Sequence, residues 1–192
     1  MKSIGKWLKM QWISKKFRML MLGMLSATAM LGAEFYIFEY GILKALRYLI
    51  LLWCLTAAAW IDYRSRRIPN MLLLILLFSR AAVLAGECLC CRECAAELLF
   101  SSGMGFLTGG GIFLLYYLSA RGGVGAGDVK LFAVLGYYFG AGYILTAVFL
   151  TVLTAALYSV AALLMKKTTL KQELPFAPFA LAGTVLTIML GV

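Results

Sequence analysis

The uncharged stretch Leu131–Met165, LFAVLGYYFGAGYILTAVFLTVLTAALYSVAALLM, decides the fold class of this chain. A helix that crosses the hydrocarbon core of a bilayer needs about 20 mostly apolar residues. A run of 35 residues therefore holds two such helices. Similar uncharged runs are Met19–Ala33, Tyr48–Ile61, Leu98–Ala120 and Leu174–Val192. Hydrophobic residues make up 64% of the chain, against about 45–50% in soluble domains, so the solvent of this protein is a bilayer.

This pattern predicts an all-α, polytopic transmembrane helical bundle of about seven helices, a six-helix core plus an extra amino-terminal segment. The expected helices are 18–38, 42–61, 69–86, 97–119, 128–141, 143–165 and 175–192. We expect residues 1–40 to form a basic segment with an uncleaved extra transmembrane helix, and residues 41–192 to form the membrane domain. If the first helix does not span, the amino terminus lies outside or flat on the surface.

The formal charge of +10 follows the positive-inside rule. The charges lie in short segments between apolar runs, so we expect membrane lipid, and not nucleic acid, as the partner of this basic surface. With the amino terminus inside, the cytoplasmic side also holds Arg64, Arg66, Arg67, Arg121, Lys130, Lys166, Lys167 and Lys171. Lys44, Arg47 and Arg92 oppose the rule. Arg80 falls inside the third predicted helix, and we expect it to snorkel outward.

Four of the five cysteines, Cys88, Cys90, Cys91 and Cys94, lie close together in the sequence. Four thiolates can bind zinc, but two separated Cys-x-x-Cys pairs are the usual pattern, and only Cys91 and Cys94 have that spacing. A metal site, a disulfide or lipid attachment, and no specific role remain open. We expect no metal and no cofactor in the functional site.

Two aspartates occupy unusual positions. Asp62 ends the apolar run Tyr48–Ile61, and Asp128 begins another run directly after Gly125-Ala126-Gly127. Ionisable residues at the edge of the hydrocarbon are functional candidates, although each can also be a helix-end charge paired with a nearby basic residue. Of two carboxylates held close together, one keeps its proton while the other ionises. Such a pair can activate a water and protonate a leaving amine.

The composition narrows the chemistry around these aspartates. The chain has no histidine, which excludes Ser-His and Cys-His arrangements and the common histidine zinc sites. Gly125 and Gly127 have no side chains, so a substrate backbone can approach Asp128 closely. Lys130 can either bias the charge of Asp128 or meet a lipid phosphate. Pro69 suits the first turn of the following helix.

Three segments together resemble the type IV prepilin peptidases. Gly125-Ala126-Gly127-Asp128-Val129-Lys130-Leu131 is similar to the family signature Gly-x-Gly-Asp-x-Lys-Leu, which also marks other intramembrane aspartic proteases. Asp62 followed by Arg66-Arg67-Ile68-Pro69-Asn70 resembles the segment with the first catalytic aspartate. Leu174-Pro175-Phe176-Ala177-Pro178-Phe179 resembles the element that begins the last helix. The resemblance covers roughly residues 48–192.

The resemblance implies a membrane-embedded aspartic endopeptidase with Asp62 and Asp128 as catalytic residues. Its substrates would be prepilin-like proteins, whose basic leader is cut at the cytoplasmic face of the cell membrane, typically after a glycine. The chain is similar to the short, peptidase-only members associated with Tad-type pili or archaeal preflagellins, so we expect no methyltransferase activity. A non-catalytic scaffold for pilin assembly and a carboxylate-based transporter are the alternatives. The sequence does not indicate the oligomeric state of the protein.

Overall fold

The computed structural model describes residues 41–119, 125–165 and 175–191, together with positions 25, 28, 29 and 32. Five helices lie in the three continuous ranges, and these ranges contain no strand. They are α1 (Ile42–Ser65), α2 (Asn70–Cys90), α3 (Ala95–Ser119), α4 (Ala126–Leu164) and α5 (Ala177–Met189). The predicted all-α class is confirmed, whereas the count of about seven helices is not. The predicted helix over 18–38 lies outside the described residues except at those four positions.

The long helix α4 folds back on itself at Gly140. Gly140 has φ 73° and ψ −179°, a backbone conformation that favours glycine. A straight helix of 39 residues would be about 58 Å long, nearly twice the thickness of the hydrocarbon core. Asp128 and Ser159 line the same cleft, although a straight helix would separate them by about 46 Å. The two arms, 126–139 and 141–164, correspond to the predicted helices 128–141 and 143–165.

Neighbouring helices supply hydrogen bonds to the backbone where α4 is interrupted. The Ala141 N–H donates to Ser101 Oγ of α3 at 3.3 Å, and Arg80 Nε of α2 donates to the Tyr137 carbonyl at 3.1 Å. Backbone groups that a helix leaves unpaired are costly inside a membrane protein unless other groups satisfy them. These two contacts therefore stabilise the fold-back of α4 at Gly140.

Small residues bring α3 and α4 into backbone contact. A Cβ atom on Gly105 would collide with the Gly136 carbonyl oxygen, and one on Gly136 would collide with that of Gly105. Gly109 is equally restricted by the Phe132 carbonyl oxygen. Small residues four apart allow such close approach between membrane helices. The close contact between α3 and α4 therefore depends on the absence of side chains at Gly105, Gly109 and Gly136.

Arg80 does not snorkel outward, and that prediction is wrong. Its side chain is 1% exposed, and Nη1 donates to Glu87 Oε2 at 2.8 Å while Nη2 donates to Ser102 Oγ at 3.1 Å. Glu87 also accepts a hydrogen bond from Arg47 Nη1 at 3.3 Å. Because Glu87, Ser102 and the Tyr137 carbonyl together satisfy the guanidinium, Arg80 stays inside the bundle. The Glu87 carboxylate also pairs with Arg47, which explains how the protein holds this basic residue on the side that the positive-inside rule disfavours.

The cysteine cluster lies at the turn between α2 and α3. Cys91 and Cys94 form a disulfide, which is one of the alternatives left open by their spacing. Cys88 and Cys90 are free thiols. Within the described part of the chain, no group of three or more histidine, cysteine, aspartate or glutamate side chains is arranged to hold a metal ion.

The outer surface of the bundle is apolar, as expected of a multi-pass membrane protein. Helices α1 to α4 are each long and apolar enough to cross a membrane, and α5 is a shorter apolar helix. Large apolar side chains project outward, including Phe78 at 68% and Phe149 at 65% exposure. Side chains such as Leu52, Phe132 and Leu135 fill the space between the helices. Apolar residues therefore lie both inside the bundle and on its lipid-facing surface.

Candidate active site

Asp62 lies in the last turns of α1 and is held by the start of α5. Its side chain is 6% exposed, and Oδ2 accepts a hydrogen bond from the Ala177 N–H at 3.0 Å. The first N–H groups of a helix have no partner within it and carry a partial positive charge. Ala177 is the first residue of α5, so α5 directs one of these groups at the Asp62 carboxylate across 115 residues of sequence.

Asp128 lies in the first turn of α4, at its third helical position. Its Oδ2 accepts a hydrogen bond from the Gly125 N–H at 3.2 Å. A carboxylate at this position commonly bonds back to the residue that caps the helix, which fixes the side-chain orientation. Asp128 is therefore held by its own helix start, whereas Asp62 is held by another helix.

The fold brings the two aspartates to one end of the bundle, the aspartate end, which is marked by Asp62, Asp128 and Ala177. The Asp62 and Asp128 carboxylates interact electrostatically, a repulsive interaction when both are ionised. Phe176, next to Ala177, lines the same cleft as Asp128. In the part of the chain that the structure describes, neither aspartate has an ion-pair partner. Both accept backbone hydrogen bonds, Asp62 from Ala177 and Asp128 from Gly125.

The cleft beside Asp128 has a volume of about 520 Å³. It is lined by Ile112, Phe113, Tyr116, Asp128, Val148, Val152, Ala155, Ala156, Ser159 and Phe176. Among the described residues of this lining, Asp128 is the one with a charged side chain. Phe113 stacks on the buried Phe132 with ring centroids 3.9 Å apart, and Phe176 lies 5.7 Å from Phe132. These stacked rings give the cleft a firm aromatic wall.

The other predicted site residues lie around the start of α4. A Cβ atom on Gly127 would be 3.4 Å from Ile68 Cβ, and one on Gly125 would be 3.4 Å from Asp128 Oδ2. Lys130 Nζ donates to Asn70 Oδ1 at 3.2 Å. Lys130 therefore links the starts of α2 and α4, a contact that neither of its two predicted roles included.

Comparison with known sequences identifies the family. Residues 49–160 match the sequence profile of the type IV leader peptidase family. This chain belongs to that family. No solved structure matches it at a significant level.

Two relatives of this chain illustrate the range of the similarity. The leader peptidase HopD of Escherichia coli is 35% identical over 144 residues, which cover 73% of this chain and 91% of HopD. The prepilin leader peptidase/N-methyltransferase of Bacillus subtilis strain 168 is 46% identical over 71 residues. That second match covers 37% of this chain but only 29% of the Bacillus protein.

Two contacts of the site were not predicted from the sequence. One is the hydrogen bond from the Ala177 N–H to Asp62, although the Pro175-to-Pro178 segment already marked a helix start. The other is the bond between Lys130 and Asn70, which adjoins Pro69. Both join segments far apart in sequence, and no local pattern reports such a pairing.

Proposed function

We propose that this chain is an aspartic endopeptidase that removes the basic leader from prepilin-like proteins, with Asp62 and Asp128 as its catalytic pair. The observation that carries the proposal is the position of both carboxylates at the same end of the bundle, in a chain of the type IV leader peptidase family. One relative is named for prepilins and both are named leader peptidases, which supports this substrate class.

In the proposed reaction the pair shares one proton. The ionised carboxylate takes a proton from a water molecule, whose oxygen bonds to the scissile carbonyl carbon. The protonated carboxyl then donates its proton to the amide nitrogen as the carbon–nitrogen bond breaks. The first carboxyl ends protonated and the second ionised, so the pair still holds one proton with the roles exchanged. The next turnover starts from this state without a metal or a covalent intermediate.

The charge distribution supports placing this chemistry at the cytoplasmic face of the cell membrane. Arg64, Arg66 and Arg67 come shortly after Asp62, at the aspartate end. The Arg47–Glu87 pair lies at the opposite end of the bundle, near the start of α1 and the end of α2. Basic loops remain preferentially on the cytoplasmic side. We further propose that residues 41–192 form the peptidase domain and that residues 1–40 are an additional membrane-associated segment.

The decisive experiment replaces each aspartate by asparagine, which keeps the size of the side chain but removes its acid–base function. Asp62→Asn and Asp128→Asn should each stop cleavage of a co-expressed prepilin-like protein, scored by the mass of its amino terminus. The control is Glu97→Gln, which changes an exposed carboxylate in the first turn of α3. Normal cleavage by either asparagine variant would refute the aspartic mechanism. Absence of cleavage by the unmodified chain would leave the scaffold or transporter alternative.

A further inference from the structure

The turn between α2 and α3 carries three cysteines at equal spacing. Cys88, Cys91 and Cys94 follow one another at intervals of three residues. The expectation of a single Cys-x-x-Cys pair is therefore wrong, because Cys88 has the same spacing from Cys91 as Cys94 has. In the structure Cys91 is bonded to Cys94, and Cys88 is a free thiol. Cys91 thus has one partner in place and a second one available.

The Cys88 thiol lies beside the disulfide. Its Sγ donates a weak hydrogen bond to the carbonyl oxygen of Ala95, the residue after Cys94, at 3.9 Å. The Cys91 N–H donates to the Glu87 carbonyl at 3.0 Å, so the hydrogen bonding of α2 continues as far as Cys91. Residues three apart on a helix have Cβ atoms about 5–6 Å apart, and a disulfide needs about 3.5–4.5 Å. A small movement of the turn therefore brings the Cys88 and Cys91 sulfurs together.

Cys94 is the residue at which α3 starts. Its carbonyl accepts a hydrogen bond from the Leu98 N–H at 2.9 Å, and α3 begins with Ala95. The first N–H groups of a helix have no partner within it and stabilise a thiolate placed there. Cys94 is also exposed, whereas Cys88 is partly buried. Cys94 is therefore the sulfur of the disulfide that leaves more readily and that is open to a second molecule.

We propose that Cys88, Cys91 and Cys94 form a thiol–disulfide exchange site, and that Cys94 is its reactive thiol toward thiol-modifying compounds. Cys88 loses its proton to solvent, and its thiolate attacks the Cys91 sulfur. The Cys88–Cys91 bond forms as the Cys91–Cys94 bond breaks, and the electron pair leaves on the Cys94 sulfur. The chain holds one disulfide before and after the step, so the exchange needs no external oxidant or reductant.

The exchange site lies at the end of the bundle opposite the aspartate end, so it does not depend on the proposed peptidase function. Cys88 directly follows Glu87, whose carboxylate pairs with two arginines. The Cys91–Cys94 bond ties the turn to the start of α3, whereas a Cys88–Cys91 bond ties it to the last turn of α2. The exchange therefore changes which of the two helices the disulfide constrains.

The test treats the full chain in detergent micelles with iodoacetamide in the absence of a reductant, and peptide mass spectrometry then locates the label and the disulfide. We expect a product labelled at Cys94 in which Cys88 and Cys91 are joined. Cys88→Ser should lower the labelling of Cys94 by about tenfold or more, because the attacking thiol is missing. The matched control is Cys90→Ser, which removes an exposed thiol outside the three-residue spacing. It should label Cys94 like the unmodified chain.

A second variant, Cys94→Ser, tests whether Cys91 reaches its other partner. With Cys94 removed, we expect the isolated chain to contain the Cys88–Cys91 disulfide. Free thiols at both positions in this variant would overturn the inference. So would an unlabelled Cys94 in the unmodified chain, equal labelling of Cys94 in Cys88→Ser, or an unmodified chain in which every cysteine is labelled and no disulfide is present.

Discussion

At the scale of single residues, the two aspartates have the same chemistry but different supports. Asp62 depends on the start of α5 through the Ala177 N–H, whereas Asp128 depends on Gly125 of its own helix start. Each carboxylate is thus oriented before any substrate binds. Catalytic groups held in place in this way lose little freedom when the reaction begins.

Gly127 provides a residue-scale prediction about substrate approach. A Cβ atom there would be 3.4 Å from Ile68 Cβ, an ordinary contact distance, so Gly127→Ala should fold normally. We expect its cleavage rate to fall by about tenfold or more, because the added methyl group narrows the space between Ile68 and the start of α4, where we propose that the substrate backbone approaches Asp128. Gly127→Val should abolish cleavage. The rate is measured by mass spectrometry of the product.

A control for this prediction is Gly103→Ala, since a Cβ atom on Gly103 meets nothing within 4 Å. It should cleave substrate at the normal rate. Normal turnover by Gly127→Ala as well would show that Gly127 does not face the substrate.

At the scale of helices, the pairing of α3 with α4 depends on glycine. The Gly105 and Gly136 backbones contact each other directly, and Gly140 turns α4 back with a positive φ. The first arm presents Asp128, and the second arm lines the cleft beside it. This tight packing therefore fixes the position of Asp128 relative to the cleft.

Gly136→Ala tests that packing. A Cβ atom at this position would collide with the Gly105 carbonyl oxygen, so the two helices must move apart. We expect a loss of about 1–3 kcal/mol in the free energy of unfolding, as for other overpacked interiors. Denaturant titration in detergent micelles measures this value. The control is Gly142→Ala, where a Cβ atom meets nothing within 4 Å, and it should not be destabilised. Equal stability of both variants would show that the close contact at Gly136 is not needed for stability.

Arg80 provides a second prediction about the helices, since its guanidinium joins α2, α3 and α4. Arg80→Met leaves the Tyr137 carbonyl and Ser102 without this donor and should cost about 3–5 kcal/mol, the usual loss when one partner of a buried ion pair is removed. The same titration measures it. The control is Arg92→Met at an exposed position in the turn after α2. A stability within about 0.5 kcal/mol of the unmodified chain, as surface changes give, would mean that the Arg80 network is not needed.

At the scale of the whole molecule, polar groups concentrate at two opposite ends. Asp62, Asp128 and Asn70 lie at the aspartate end, and the Arg47–Glu87 and Arg80–Glu87 pairs lie toward the other. Apolar packing separates the two groups. The two ends of the membrane-spanning bundle therefore differ, so its orientation in the membrane can be measured.

Cysteine labelling measures this orientation. In a chain whose native cysteines are replaced by serine, Ser65→Cys should resist a membrane-impermeant maleimide added outside intact cells, because we propose that the aspartate end faces the cytoplasm. Glu93→Cys, in the turn between α2 and α3, should react. Both positions are exposed in the bundle, so burial does not limit the labelling. Reaction of Ser65→Cys from outside would reverse the orientation.

Sequence patterns predicted most of what depends on local chemistry. The length of Leu131–Met165 predicted two helical segments, and their turn lies at Gly140. Pro69 marked the start of α2, which begins at Asn70. Asp62 and Asp128 were singled out by their positions at the ends of apolar runs, and the fold brings them to one end of the bundle. Their catalytic role stays a prediction.

Sequence patterns did not predict the contacts between segments that are far apart in the chain. The burial of Arg80 depends on partners from three helices, and sequence spacing reveals only Glu87, which lies on the same helix. The predicted end of the second core helix at residue 86 was also early, because α2 continues to Cys90. Gly86 packs beside Leu43 instead of ending the helix. Tertiary packing, which local propensity does not contain, decided both cases.

The hydrogen bond between Asp62 and Ala177 has a consequence for biogenesis. α1 leaves the ribosome 115 residues before its partner, so during synthesis the Asp62 carboxylate lacks the donor that α5 later provides. The nascent chain can insert α1 to α4 before Asp62 has this hydrogen bond. In the proposed mechanism, Asp62 therefore reaches its final orientation only after α5 has been made and has docked.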